Sequence, residues 1–126
     1  METLELQAKN NTPYINFDAS TGIMVMKGRS TPENSVEYYE PITNWVLNYI
    51  QSPAENTIIK VQFEYFNTSS SKCILDVLKK FAEIHKAGKS AKVEWYFEED
   101  DEDMKEAGED YGDIVKMPFE VIEIPE

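Results

Sequence analysis

Three consecutive segments decide most of what this chain can fold into: "TIIKVQFEYF" (57–66), "KCILDVLKKFAEI" (72–84) and "AKVEWYF" (91–97). The first alternates polar and apolar residues and is rich in branched and aromatic side chains, which suits a strand. The second brings Ile74, Val77, Leu78, Phe81 and Ile84 to one helical face, with Gly88 as its stop. The third is again a strand. Strand, helix and strand in that order imply a right-handed crossover, which makes the two strands parallel and lays the helix against the sheet.

The flanking segments extend this unit. "PYINFDASTGIMVMKGRS" reads as two short strands around a turn at Asp18, Ser20 and Gly22. "PENSVEYYEPITNWVLNYIQSP" reads as a helix capped by Asn34 or Ser35, with Ile42, Trp45, Val46, Tyr49 and Ile50 at helical spacing. Pro41 removes an intrahelical bond unless it lies in the first turn, so a frayed or kinked start is expected. "EEDDEDMKEAGEDYGDIV" predicts a short acidic helix with Met104, Ala107, Tyr111 and Ile114/Val115 inward, ended by Pro118, and "FEVIEI" a closing strand. The expected fold is an α/β single domain over 1–126, order β-β-α-β-α-β-α-β, with a mixed, mostly parallel sheet and crossover helices. That order resembles the STAS domain of anti-sigma-factor antagonists. Residues 1–12 read as a loose polar lead-in, with Leu4 and Leu6 alternating as an edge strand would.

Bulk properties narrow the function. A length of 126 residues allows one core. The formal net charge of -12 sets the chain against phosphate backbones and anionic lipid, so neither nucleic acid nor membrane is an expected partner. The single cysteine, Cys73, forms no intramolecular disulfide and fits a reducing cytoplasm. The segment "METLELQAKNN" does not read as a signal peptide, and no apolar run approaches a membrane span.

In an α/β fold, ligand and switch sites gather at the carboxyl ends of strands. "FNTSSSK" (66–72) lies there, at a strand end and a helix start, with hydroxyls at Thr68, Ser69, Ser70 and Ser71. One of them, Thr68 or Ser69, suffices as N-cap. A phosphate on another would meet free amide donors and the positive end of the helix dipole. The residues alone leave the choice open among Thr68, Ser69 and Ser70.

Other motifs carry less. Ser69-Ser70-Ser71-Lys72 matches S-x-x-K but lacks its S-D-N and K-T-G partners. Gly88-Lys89-Ser90 ends like a P-loop but runs from helix to strand and lacks the first glycine. His85, the only histidine, lies sixteen or more residues along the helix from Thr68 and Ser69, on the order of 24 Å, far beyond proton-transfer reach. Cys73 reads as buried filler. The acidic run Glu98–Asp103 lacks the EF-hand ligand order and reads as a solvated helix start, so neither metal nor cofactor is expected. The competing reading is a small enzyme or metal- or ligand-binding domain using that acidic strand-end edge.

The stretches "TPYINFD", "KGRSTPENSVEYYEPITNWV", "FEYFNTSSSK", "VEWYFEEDDEDMKEAGEDY" and "PFEV" resemble the SiaC family of bacterial regulatory phosphoproteins, from Thr12 to about Val121. The resemblance implies a non-catalytic, cytoplasmic switch protein. It implies phosphorylation of Thr68 by a partner Ser/Thr kinase, reversal by a PP2C-type phosphatase, and binding of the unphosphorylated form to a diguanylate cyclase, which raises cyclic-di-GMP. Expected partner contacts are Arg29, Pro32, Glu33 and Asn34 from one strand end, Asn67, Ser69, Ser70 and Lys72 around the switch, and Asp101 and Asp103 from the acidic edge. Asn34 has a plainer role as a helix cap.

Overall fold

A computed structural model describes residues 1–124; the last two residues of the expected domain, 125–126, lie outside the described residues. The elements are β1 (Leu4–Leu6), β2 (Tyr14–Asp18), β3 (Ile23–Ser30), α1 (Ser35–Tyr49), β4 (Asn56–Phe66), α2 (Thr68–Lys86), β5 (Ser90–Glu98), α3 (Glu102–Ile114) and β6 (Phe119–Ile124). They build one sheet in the order β1-β2-β3-β4-β5-β6. β1, β2 and β3 pair antiparallel, and β3 through β6 pair parallel. The expected mixed, mostly parallel sheet with crossover helices is therefore present.

Because each parallel strand adds next to its predecessor, three crossovers of one hand place all three helices on the same face. The strands show it by parity. Ile59, Val61 and Phe63 of β4 and Val93, Trp95 and Phe97 of β5 are buried, while Lys60, Gln62, Glu94 and Tyr96 between them are half-exposed. The core lies between the helices and this one face. Phe17 meets Phe81 of α2 edge-on, at 5.6 Å between ring centroids, and Trp45 of α1 at 5.5 Å.

Three expectations need correction. Within the expected loose lead-in, residues 4–6 form the edge strand β1 that the alternation of Leu4 and Leu6 suggests: the two leucines register against Phe17 and Ile15, and the Trp45 indole N–H donates to the Glu2 carbonyl at 2.9 Å. α1 starts cleanly at Ser35 despite Pro41 inside it, because Asn34 caps it by accepting the Glu37 N–H at 3.0 Å. Pro41 is exposed, so water can reach the carbonyl it leaves unpaired. α3 is a full 13-residue helix, and Ile114 is 45% exposed rather than inward. Gly108 takes the inner position: a Cβ there would stand 2.5 Å from Trp95 Cδ1, so only glycine lets α3 approach the indole. Trp95 Nε1 donates to the Met104 carbonyl at 3.0 Å and fixes the approach.

Candidate functional site

β3, β4 and β5 all end at one edge of the sheet, and from them start α1, α2 and α3. The Asn67 N–H donates to the Ser30 carbonyl at 3.1 Å, which ties the β3 and β4 exits together. The N-cap of α2 is Asn67, not Thr68 or Ser69 as expected. Its side-chain oxygen accepts the Ser70 N–H at 2.8 Å, and its carbonyl accepts the Ser71 N–H at 2.9 Å. An extended asparagine before the helix does this as well as a hydroxyl residue. The cap relieves all four hydroxyls of that task.

Their actual partners differ. Ser30 Oγ donates to Ser70 Oγ at 2.9 Å, and Ser69 Oγ donates to Asn67 Oδ1 at 3.2 Å. Ser30 also lies 2.7 Å from Tyr39 Oη; Ser35 Oγ lies 2.8 Å from Ser69 Oγ and 3.1 Å from Ser70 Oγ. A hydroxyl has one proton to give, so the direction of every bond follows. Tyr39 donates to Ser30, Ser30 to Ser70, Ser70 to Ser35, Ser35 to Ser69, and Ser69 to the Asn67 cap. This directional chain joins the end of β3, the start of α1 and the start of α2. Ser30, Ser35 and Ser70 are buried within it, at 0%, 3% and 0% exposure, and burial pushes the Tyr39 pKa up. No buried side-chain polar atom among the described residues lacks a partner.

Ser71 is held separately. The Tyr111 hydroxyl donates to the Ser71 carbonyl at 2.8 Å and accepts from Ser71 Oγ at 2.6 Å, which ties the first turn of α2 to α3. Thr68 is left: it is exposed, it is the first residue of α2, and none of these hydrogen bonds uses its hydroxyl. The N–H groups of Thr68 and Ser69 are likewise taken by none of them. Of the alternative acceptors, Ser70 is wholly buried and Ser69 Oγ is bonded on both sides.

The other expected site residues divide between the two faces. Lys72, one turn beyond Thr68, lines a groove between α1 and α2 with exposed Val36 and half-buried Cys73, whose thiol burial pushes up in pKa. Glu33 and Asn34 are exposed at the start of α1. Pro32 is buried and offers no surface. Arg29 points to the bare face of the sheet. Glu64 enters β4 as an extra residue opposite the Gly28/Arg29 junction, and Gly28 accommodates the irregularity with φ +117°. Arg29 then stands over the Tyr65 ring at 5.4 Å and shares a recess with Glu64, Glu98 and Asp101. Asp101 caps α3 by accepting the Met104 N–H at 3.0 Å, and Asp103 is exposed. Among the described residues no group of three or more His, Cys, Asp or Glu side chains is placed to hold a metal ion.

The sequence reading misses Ser30 and Tyr39 altogether, and takes Ser35 only as a cap and Tyr111 only as an inward residue, without their hydroxyl contacts. Their partners lie 9 to 40 residues away in sequence, and nothing in "RSTPENS" separates a network serine from a turn serine.

Comparison with known proteins accords with this geometry. A family model described as SiaC family regulatory phosphoprotein matches residues 6–124. An uncharacterized protein of Pseudomonas aeruginosa (strain UCBPP-PA14) is 28% identical over 121 residues, 96% of each chain. The crystal structure of apo-SiaC from Pseudomonas aeruginosa superposes with a TM-score of 0.87 at 28% identity, over 96% of this chain and 98% of that one. A chain from the crystal structure of the diguanylate cyclase SiaD in complex with its activator SiaC, from the same species, gives a TM-score of 0.89 at 27% identity, over 96% and 99%. The chain belongs to the SiaC family of regulatory phosphoproteins, and it is a regulator rather than an enzyme.

Proposed function

We propose that this protein is a cytoplasmic switch acting as one regulatory unit. A Ser/Thr kinase phosphorylates Thr68, a PP2C-type phosphatase removes the phosphate, and the unmodified form binds and activates a diguanylate cyclase. The observation that carries the reading is the division of labour in the hydroxyl run: Ser69, Ser70 and Ser71 are bonded, while Thr68 is exposed and unengaged. The crystallised complex of SiaD with its activator SiaC supports the class of target.

The switch works by charge and shape. A phosphate adds about 1.5 to 2 negative charges. On the first residue of α2 it meets the Thr68 and Ser69 amides and the helix dipole, and Lys72 is its neighbour one turn on, so the helix stays intact. The proposed contact surface takes Glu33, Asn34, Asn67, Ser69, Lys72 and Asp103 at the helix starts, and Arg29 and Asp101 from the bare-face side of the same strand-end edge. Pro32 and Ser70 drop out as contacts because they are buried. A target packed on this edge would have to desolvate the phosphate, which costs several kcal/mol when the charge is left unpaired. A loss of about 3 kcal/mol weakens binding more than a hundredfold. The test is a titration of a purified diguanylate cyclase from the same organism with unmodified protein, phosphoprotein and Thr68→Ala. Thr68→Ala should bind like the unmodified form and resist the kinase. Equal affinity of the phosphoprotein and unmodified protein would refute the reading.

A further inference from the structure

At the far end of α2 lies a groove that the switch does not use. Lys79, Ala82, Glu83, His85 and Lys86 of α2 line it together with Ile114 and Lys116 after the turn of α3. Lys79, Lys86 and Lys116 are exposed, and the ion pairs among the described residues use Lys80 and Lys92 instead. In a chain with 24 carboxylates, this groove gathers three lysines against one lining carboxylate, Glu83, so its local charge is positive on a molecule that is otherwise acidic. The helix dipole accounts for His85 and Lys86 in the last turn of α2, but its effect fades within that turn and does not reach Lys79. Ile114, 45% exposed, gives the groove an apolar floor beside Ala82. Its volume of about 590 Å³ is in the range of peptide and small-molecule sites.

We propose that this groove binds an acidic protein segment that carries one apolar side chain, with carboxylates on Lys79, Lys86 and Lys116 and the apolar group on Ile114. Charge decides between anions. A short segment feels only the local field, since screening cuts interactions beyond about 8 Å at physiological salt. A nucleic acid or an anionic membrane extends past the groove onto a molecule of net charge -12 and is repelled. The groove lies along the C-terminal part of α2, from about 17 Å (Lys79) to about 27 Å (Lys86) from Thr68 at 1.5 Å per residue over the helix. It can therefore hold a partner in either phosphorylation state.

The probe is a fluorescently labelled poly-glutamate peptide with one central leucine, followed by anisotropy at low and physiological salt. The expected result is saturable binding that weakens with salt, falls about tenfold or more in Lys79→Glu/Lys116→Glu, a change of about 1.4 kcal/mol, and falls when the leucine is replaced by serine. Thr68→Glu should bind the peptide as the wild type does. All the substituted positions are exposed, and circular dichroism checks each variant's fold. Absence of binding at low salt, or affinity unchanged by the lysine reversals, overturns the proposal. Tighter binding of a DNA duplex or of phosphatidylserine vesicles than of the peptide overturns it in favour of a different class of partner.

Discussion

Replacing Ser70 by alanine should destabilise the protein, whereas replacing its neighbour Thr68 should not. Ser70 is 0% exposed and sits mid-chain in the hydroxyl relay, accepting from Ser30 at 2.9 Å and donating to Ser35 at 3.1 Å. Alanine leaves the Ser30 proton buried without an acceptor and removes one donor from Ser35. A buried donor stranded in this way costs about 1–3 kcal/mol. Alanine returns about 0.5 kcal/mol through its better helix propensity. The net loss is about 0.5–2.5 kcal/mol, or roughly 2–10 °C in Tm for a domain of this size. Thr68→Ala removes an exposed hydroxyl outside the relay, and because Asn67 holds the cap it should change stability by less than about 0.5 kcal/mol. Asn67→Ala loses the cap itself, about 1 kcal/mol. Urea titrations followed by circular dichroism, with thermal melts alongside, measure all three. If Ser70→Ala is as stable as wild type, or Thr68→Ala loses as much as Ser70→Ala, the assignment of roles within the run is wrong.

Gly108→Ala forces a methyl group to 2.5 Å from the Trp95 indole; overpacking of about 1–3 kcal/mol exceeds the helix-propensity gain of about 1 kcal/mol, so the melting temperature should fall. Burial pushes Tyr38 up to about 12 and raises Tyr39 and Tyr111 as well. The unfolded chain therefore ionises these tyrosines first, near pH 10, and stability should hold below that and decline as pH rises from about 10 toward 12. A denaturation series at constant ionic strength that is flat across this window would contradict the burial argument. Low-millimolar calcium or magnesium should leave the melting temperature nearly unchanged, whereas a site filled at a hundredfold excess over Kd would add about 2.7 kcal/mol.

The alternation in 57–66 and 91–97 and the helical spacing of 72–84 made the parallel core and its crossovers legible in the sequence, because strand and helix periods differ so clearly there. The placement of the hydroxyl run at a strand end and helix start was legible too, as a consequence of chain direction in parallel sheets. What the residues alone left open was which hydroxyl is free, and the choice of Thr68 came from the family resemblance. Ser69, Ser70 and Ser71 are chemically alike, and their roles depend on Ser35 and Tyr111, which the fold brings from 34 and 40 residues away. Two local readings failed for similar reasons. The cap passed to Asn67 because an asparagine stood one residue earlier in extended conformation. Ile114 turned outward because Gly108 let α3 press its flat side on Trp95, a contact that helical spacing of apolar residues does not register.

The central claim is that Thr68 is the modified residue and that its neighbours are structural. The direct measurement is site mapping of the protein after phosphorylation by its Ser/Thr kinase, using intact mass and fragmentation of the peptide containing residues 66–72, for wild type and Thr68→Ala. The account predicts one phosphate per chain, located on Thr68, and none on the folded Thr68→Ala variant. Phosphate on Ser69, Ser70 or Ser71 in the wild type, or undiminished incorporation in Thr68→Ala, would contradict it.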